Sequence, residues 1–171
     1  MHNPGLNNGI QHHKTMTPAI KLLDRKSVEY TLHEYQHDSG AESYGLEASQ
    51  KTSIPEEQIF KTLLIELENK ELVVGIVPVT RMLAIKALVK ALGAKKGRMA
   101  IKEDVQRSTG YVLGGVSPLG QKKHLKTVID ASAKDYATIA VSGGRRGLEI
   151  ELSPLALAQL CDADFADIAQ P

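Results

Sequence analysis

Two periods run through the apolar positions of this chain. Val28, Tyr30 and Leu32 alternate with Glu29, Thr31 and His33, the period of a strand with one wet face, which predicts a strand over residues 28–35. Residues 59–67 and 72–79 are longer apolar runs split by the polar stretch Glu68-Asn-Lys-Glu71, and together they predict a hairpin. Shorter runs predict strands at 127–130, 137–141 and 148–152, the last two joined across a glycine-rich turn. Helical spacing begins after Thr17-Pro18, a hydroxyl N-cap followed by proline at the first helical position. Ala19, Ile20, Leu22 and Leu23 then share one face. Further helices are predicted over 46–52, over 83–92 with Gly93 as its C-cap, over 101–108, and from Ser153-Pro154 with Leu155, Leu157 and Leu160 inward. Hairpins mixed with helices, without regular βα alternation, predict an α+β fold whose sheet is mixed or antiparallel and open to barrel-like curvature. Residues 1–15 break the pattern: they are polar and rich in Asn and Gly. A disordered leader is expected there, followed by a single domain over 16–171.

Composition narrows the class. At 171 residues the chain is long enough to bury a real core. Aromatics are only 4% and Trp is absent, so that core must be aliphatic. A net charge of +1 excludes nucleic-acid binding by bulk charge, though not by a local basic patch. Cys161 is the single cysteine, which rules out an internal disulfide and suits a reducing, cytoplasmic home. No run reaches the ~18 apolar residues of a membrane span, and the N-terminus has no apolar signal core.

Candidate chemistry gathers around glycine. The stretch Ser108-Thr-Gly-Tyr-Val-Leu-Gly-Gly-Val-Ser-Pro-Leu-Gly120 breaks the strand-like Tyr111-Val-Leu113 with the pair Gly114-Gly115. Such a pair is either a bulge or tight turn, or a floor of bare N–H groups for a carbonyl or ribose. A second cluster, Ser142-Gly-Gly-Arg-Arg-Gly147, lies between two strands. Lys61 sits inside an apolar strand between Phe60 and Thr62. It either snorkels to solvent or points a cation into a pocket, since lysine is rarely buried unpaired. Basic residues cluster at Lys90, Lys95, Lys96 and Arg98, at Lys122, Lys123 and Lys126, and at Arg145-Arg146. If they share a face, they suit a polyanion. Other chemistries fit poorly. There is no Gly-x-Ser-x-Gly elbow. Cys161 has no adjacent His and reads as a core residue. His33 and His37 do not share a helical face, and His12-His13 is too short for a metal site. The second glycine cluster lacks Walker spacing.

Five motifs in order carry a resemblance: Thr17-Pro-Ala-Ile, Phe60-Lys-Thr-Leu, Ser108-Thr-Gly-Tyr, Gly114-Gly-Val-Ser-Pro-Leu-Gly and Val141-Ser-Gly-Gly-Arg-Arg-Gly-Leu. Over about residues 16–168 the chain resembles the YbaK family, free-standing Cys-tRNA(Pro) deacylases related to the editing domain inserted in bacterial prolyl-tRNA synthetases. The resemblance implies a mixed, barrel-like β-sheet with surrounding helices. It implies an enzyme that clears cysteine from mischarged tRNA(Pro), with the substrate's own thiol attacking its ester to release a cyclic thiolactone. No cofactor or metal is implied. The implied partners are the acceptor end of tRNA and prolyl-tRNA synthetase, without a membrane. Lys61 matches the family's functional lysine, Gly114 the glycine whose amide faces the aminoacyl end, and Ser142 a pocket serine. Tyr35 matches a pocket tyrosine. Tyr44 stands where relatives carry phenylalanine, and Glu149 where some carry aspartate. Gly115 and Gly143 complete the expected substrate-binding set. The alternatives are an editing deacylase for another amino acid, such as alanine, with water as nucleophile; a non-catalytic aminoacyl-tRNA binder; and a module that only docks on a synthetase.

Overall fold

The structure is a computed structural model that describes residues 16–40 and 43–171; the expected leader over 1–15 lies outside the described residues. Helix α1 (Pro18–Arg25) begins as its sequence predicts. Thr17 Oγ1 accepts the Ile20 N–H at 3.3 Å. The same hydroxyl donates to the Gly143 carbonyl at 2.5 Å. One cap therefore satisfies a helix end and ties it to the second glycine turn. Ala19, Ile20 and Leu23 are buried beneath it.

Among the described residues the strands form three sheets. One is antiparallel, ordered β1 (Thr31–Glu34), β8 (Leu148–Leu152), β7 (Ile139–Ser142). A second has five strands in the order β5 (Gly97–Met99), β2 (Phe60–Leu67), β3 (Leu72–Pro78), β6 (Thr127–Asp130), β9 (Asp164–Ala166). It is mixed: β3–β6 and β6–β9 run parallel, the other pairs antiparallel. A two-stranded sheet joins β4 (Met82–Leu83) to β10 (Ala169–Gln170). The helices α2 (Tyr44–Thr52), α3 (Ile85–Ala91), α4 (Lys102–Thr109) and α5 (Pro154–Cys161) complete an α+β fold. None of the described helices is long and apolar enough to cross a membrane.

The α+β class with a mixed sheet and surrounding helices is as expected, and the barrel-like arrangement is not a closed barrel. The two larger sheets meet at a single parallel bridge, Ile59 to Ala140. The outer strands β5 and β9 have three residues each and pair on one side only, too short a ladder to zip a seam. The sheets pack face to face instead. Ile139, Val141, Leu148 and Ile150 from the smaller sheet meet Phe60, Leu64, Val74, Ile76 and Ile129 from the larger, all within one core. The opposite face of the larger sheet buries Ile65, Val73 and Val77 against Leu88 and Val89 of α3. A third, small core under α2 joins Ala48, Ile54, Ile59 and Ala140, with Tyr35 and Val79 packed on it.

Several sequence expectations shift. The strand over 28–35 is confined to β1: Val28 N–H still bonds Leu23 O in the turn after α1, and Ser27 takes a left-handed φ of 54°. The helix over 83–92 starts only at Ile85, because Leu83 pairs with Ala169. It ends with Gly93 at φ 71°, its N–H on Lys90 O while Ala94 N–H reaches Val89 O, a Schellman ending. Tyr111-Val-Leu113 forms no strand. Tyr111 N–H goes to Thr109 Oγ1 and its hydroxyl to Leu119 O, so local turns absorb polar groups that a ladder would need. On α5 Leu157 and Cys161 are buried, but Leu155 is 63% exposed.

Candidate active site

β2 is paired with β3 along its length but with β5 only from Ile65 to Leu67. Its first half therefore presents an open edge. A pocket of about 380 Å³ wraps that edge. Lys61, Thr62 and Leu63 line one side, Ser142 and Glu149 of the smaller sheet another, and Tyr44-Gly45 of α2 with Leu113-Gly114 the rest. Period-two alternation puts Lys61 and Thr62 on opposite faces of β2. Both reach the pocket because it curls around the strand edge.

Lys61 is half-buried. Burial pulls its ammonium below the usual lysine range, because the charged form loses solvation. Glu149 faces Ser142 directly across the β7–β8 ladder and His33 across β1–β8, so it projects from the sheet's polar face. Its Oε2 is buried and has no hydrogen-bond partner among the described residues; the same is true of Thr62 Oγ1. Burial pushes the Glu149 carboxyl up to about 8, leaving it a neutral donor and acceptor at neutral pH. Buried polar atoms without partners are costly, and here both are in a pocket wall, where a ligand can satisfy them.

The Val112–Gly115 segment is a turn, with Gly115 N–H on Val112 O at 3.0 Å. Gly114 occupies its third position at φ 86°, the type II requirement that favours glycine. The Gly114 N–H has no backbone acceptor among the described residues. Ser142 Oγ accepts the Gly144 N–H at 3.2 Å, which leaves its own proton free to donate.

Around this centre the loops are pinned by a buried carboxylate. Glu47 Oε1 meets His37 Nδ1 at 2.7 Å, and Oε2 takes the Asp38 N–H at 2.7 Å and Lys51 at 3.2 Å. Burial opposes its charge, but these three partners outweigh it and hold the carboxyl down to about 2. Tyr44, 43% exposed, stands at the pocket rim with the His37 ring 5.7 Å away.

Lys61, Gly114, Ser142, Tyr44 and Glu149 thus come together in one pocket. Tyr35 does not line it. It packs on the core under α2, where burial first, then the Glu149 and Glu47 carboxylates, push its hydroxyl up to about 12. Gly115 and Gly143 also lie behind the lining. A Cβ on Gly115 would stand 2.8 Å from Arg145 Cα, and one on Gly143 would stand 2.7 Å from Leu148 Cγ. Both glycines make room for packing. Sequence reasoning missed Thr62 and the open edge of β2. Thr62 lay in view beside Lys61, but nothing local marks a strand's unpaired side.

No pocket hydroxyl or thiol among the described residues has a basic side chain in hydrogen-bond reach. His33 goes to Glu151 and His37 to Glu47. Cys161 is buried against the Pro118 carbonyl, and burial pushes its thiol up to about 12. The arrangement offers charge and hydrogen bonds without an activated protein nucleophile.

Residues 40–160 match the model of the aminoacyl-tRNA editing domain family. A protein of Enterococcus faecalis named "Putative Cys-tRNA(Pro)/Cys-tRNA(Cys) deacylase EbsC" is 36% identical over 159 residues, covering 89% of this chain and 92% of its own. Among solved structures, one described as "a putative trans-editing enzyme for prolyl tRNA synthetase" superposes with a TM-score of 0.78 at 22% identity, covering 90% of this chain and 96% of that one. The "hypothetical protein APE2540" gives 0.80 at 23% identity, covering 90% and 100%. At these identities the two structures establish likeness of fold.

Proposed function

The chain belongs to the aminoacyl-tRNA editing domain family, and we propose that this editing deacylase removes cysteine from mischarged cysteinyl-tRNA(Pro) with the substrate's own thiol as nucleophile. The observation that carries the proposal is a pocket with a cation, free donors and no activated protein nucleophile. The curated relative's name points to the same ester.

In this reading the aminoacyl ester enters with its carbonyl oxygen toward the Gly114 N–H and the Lys61 ammonium. Negative charge developing on that oxygen is stabilised by donors already in place. The Glu149 carboxyl, Thr62 hydroxyl and Ser142 hydroxyl hold the α-amino group and so orient the side chain. Orientation matters because an intramolecular attack gains most of its rate from a fixed near-attack geometry. The cysteine sulfur attacks its own carbonyl carbon. A C–S bond forms, the C–O bond to the ribose breaks, and its electron pair leaves on the ribose oxygen. That oxygen takes a proton as the thiol loses one. A thiolactone and free tRNA are the products. The partner proposed to supply the mischarged tRNA is prolyl-tRNA synthetase.

A deacylation panel tests the substrate. Cysteinyl-tRNA(Pro) is expected to be cleaved at least tenfold faster than alanyl- or seryl-tRNA(Pro), whose side chains fit the same space but supply poor nucleophiles or none. Equal cleavage of the three esters would point to water instead. Binding without cleavage of any of them would leave a tRNA-binding module.

A further inference from the structure

The β7–β8 turn carries two arginines, and they are used differently. Arg145 pairs with Glu34 at 3.7 Å. Arg146 has no carboxylate partner among the described residues, yet its guanidinium is held in place. Its Cζ lies 4.5 Å from the centroid of the Tyr44 ring. One Nη donates to the Leu113 carbonyl at 3.2 Å. Its Nε lies so close to Gly114 that a Cβ there would collide with it. Tyr44, Leu113 and Gly114 all line the pocket. An uncompensated positive charge is thus fixed at the pocket rim, with most of its five donors unused.

We infer that Arg146 grips the phosphodiester on the 5′ side of the terminal nucleotide of the RNA. The inference rests on the editing reading, which puts the 3′-terminal ester in the pocket. The nearest negative charge on such a substrate is then one ribose away, at the rim. A guanidinium suits this task because its planar fork matches two phosphate oxygens and can rest on an aromatic face. Tyr44 holds that fork ready and also offers the terminal base a face on which to stack. The glycine at position 114 acquires a second duty: it leaves the room in which the Arg146 side chain lies.

The test uses an uncharged acceptor-stem RNA ending in CCA and a twin whose last phosphodiester is a neutral methylphosphonate. Dissociation constants are measured across a salt series for the wild type, Arg146→Ala and Arg146→Lys. The wild type is expected to bind the twin about tenfold more weakly than the natural RNA. Arg146→Ala is expected to bind the natural RNA about tenfold more weakly and to lose almost nothing further on the twin. Its salt slope should fall by about 0.7, the single-strand value for one phosphate. Arg146→Lys should keep the slope while recovering only part of the affinity. Equal losses by Arg146→Ala on both RNAs would show that Arg146 merely braces the rim, and would overturn the inference while leaving the editing reading intact. No binding of either RNA by the wild type would overturn both.

Discussion

Lys61 is the side chain on which the proposed mechanism leans most. It is a half-buried cation with no carboxylate within salt-bridge distance among the described residues, and burial has already lowered its pKa. A neutral side chain would suit the strand better, and in the proposed mechanism the charge acts on the ester that enters. Lys61→Ala is expected to cut deacylation at least tenfold, about 1.4 kcal/mol of transition-state stabilisation, with thermal stability held or raised. A folded mutant with wild-type turnover would remove Lys61 from the mechanism. Glu149 makes a different prediction. Its folded pKa, about 8, lies above the ordinary carboxylate value, so its contribution to stability is full at low pH and is lost as pH rises through about 8. Glu149→Gln stays neutral throughout. Its thermal midpoint should gain on the wild type progressively between about pH 5 and pH 9; a gap that does not change with pH would mean that Glu149 is ionised in the fold.

At the scale of elements, the two adjacent glycines of the 112–115 turn divide their tasks. Gly114 needs its left-handed φ, and the atom a new Cβ would meet is the flexible Arg146 side chain. Gly115 abuts the rigid Arg145 backbone. Gly114→Ala should therefore cost about 1 kcal/mol of stability but a larger factor in activity, whereas Gly115→Ala should lower the melting temperature further and activity in proportion. The opposite ranking, from melting curves beside the assay, would reverse the assignment of the two residues. Legibility followed the same division. The β2–β3 hairpin, the caps at Thr17 and Ser153, and the short strands β6, β7 and β8 were readable because their patterns are local. β4, β5, β9 and β10, of two or three residues each, exist only because tertiary partners lie alongside. Tyr111-Val-Leu113 read as a strand because its composition is strand-like, but no partner edge reaches it. Lys61 stands out in the sequence as a cation inside an apolar strand, and Gly114 and Ser142 as members of glycine-rich clusters. Thr62 and the Arg146–Tyr44 contact depend on segments far apart in sequence coming together, which no spacing reveals.

For the whole molecule, the decisive feature is that the two larger sheets fail to close. A closed barrel would pair the first half of β2 on both sides and remove the open edge that the pocket wraps. Instead the sheets, packed face to face, are bridged at Ile59–Ala140 and no ladder continues from that bridge among the described residues. Helix α2, the 112–115 turn and the β7–β8 turn gather around the open edge. Those three segments bring donors and charge to one point, and none brings a nucleophile with a base beside it. The central claim is that the chemistry comes from the substrate. The most direct test is the mass of the first product released from cysteinyl-tRNA(Pro), sampled faster than a thiolactone hydrolyses. The account predicts cysteine minus one water, the thiolactone, as the initial species, with free cysteine appearing only after it. Free cysteine as the first product, together with seryl-tRNA(Pro) cleaved as fast, would contradict the account and place a water molecule in the attacking role.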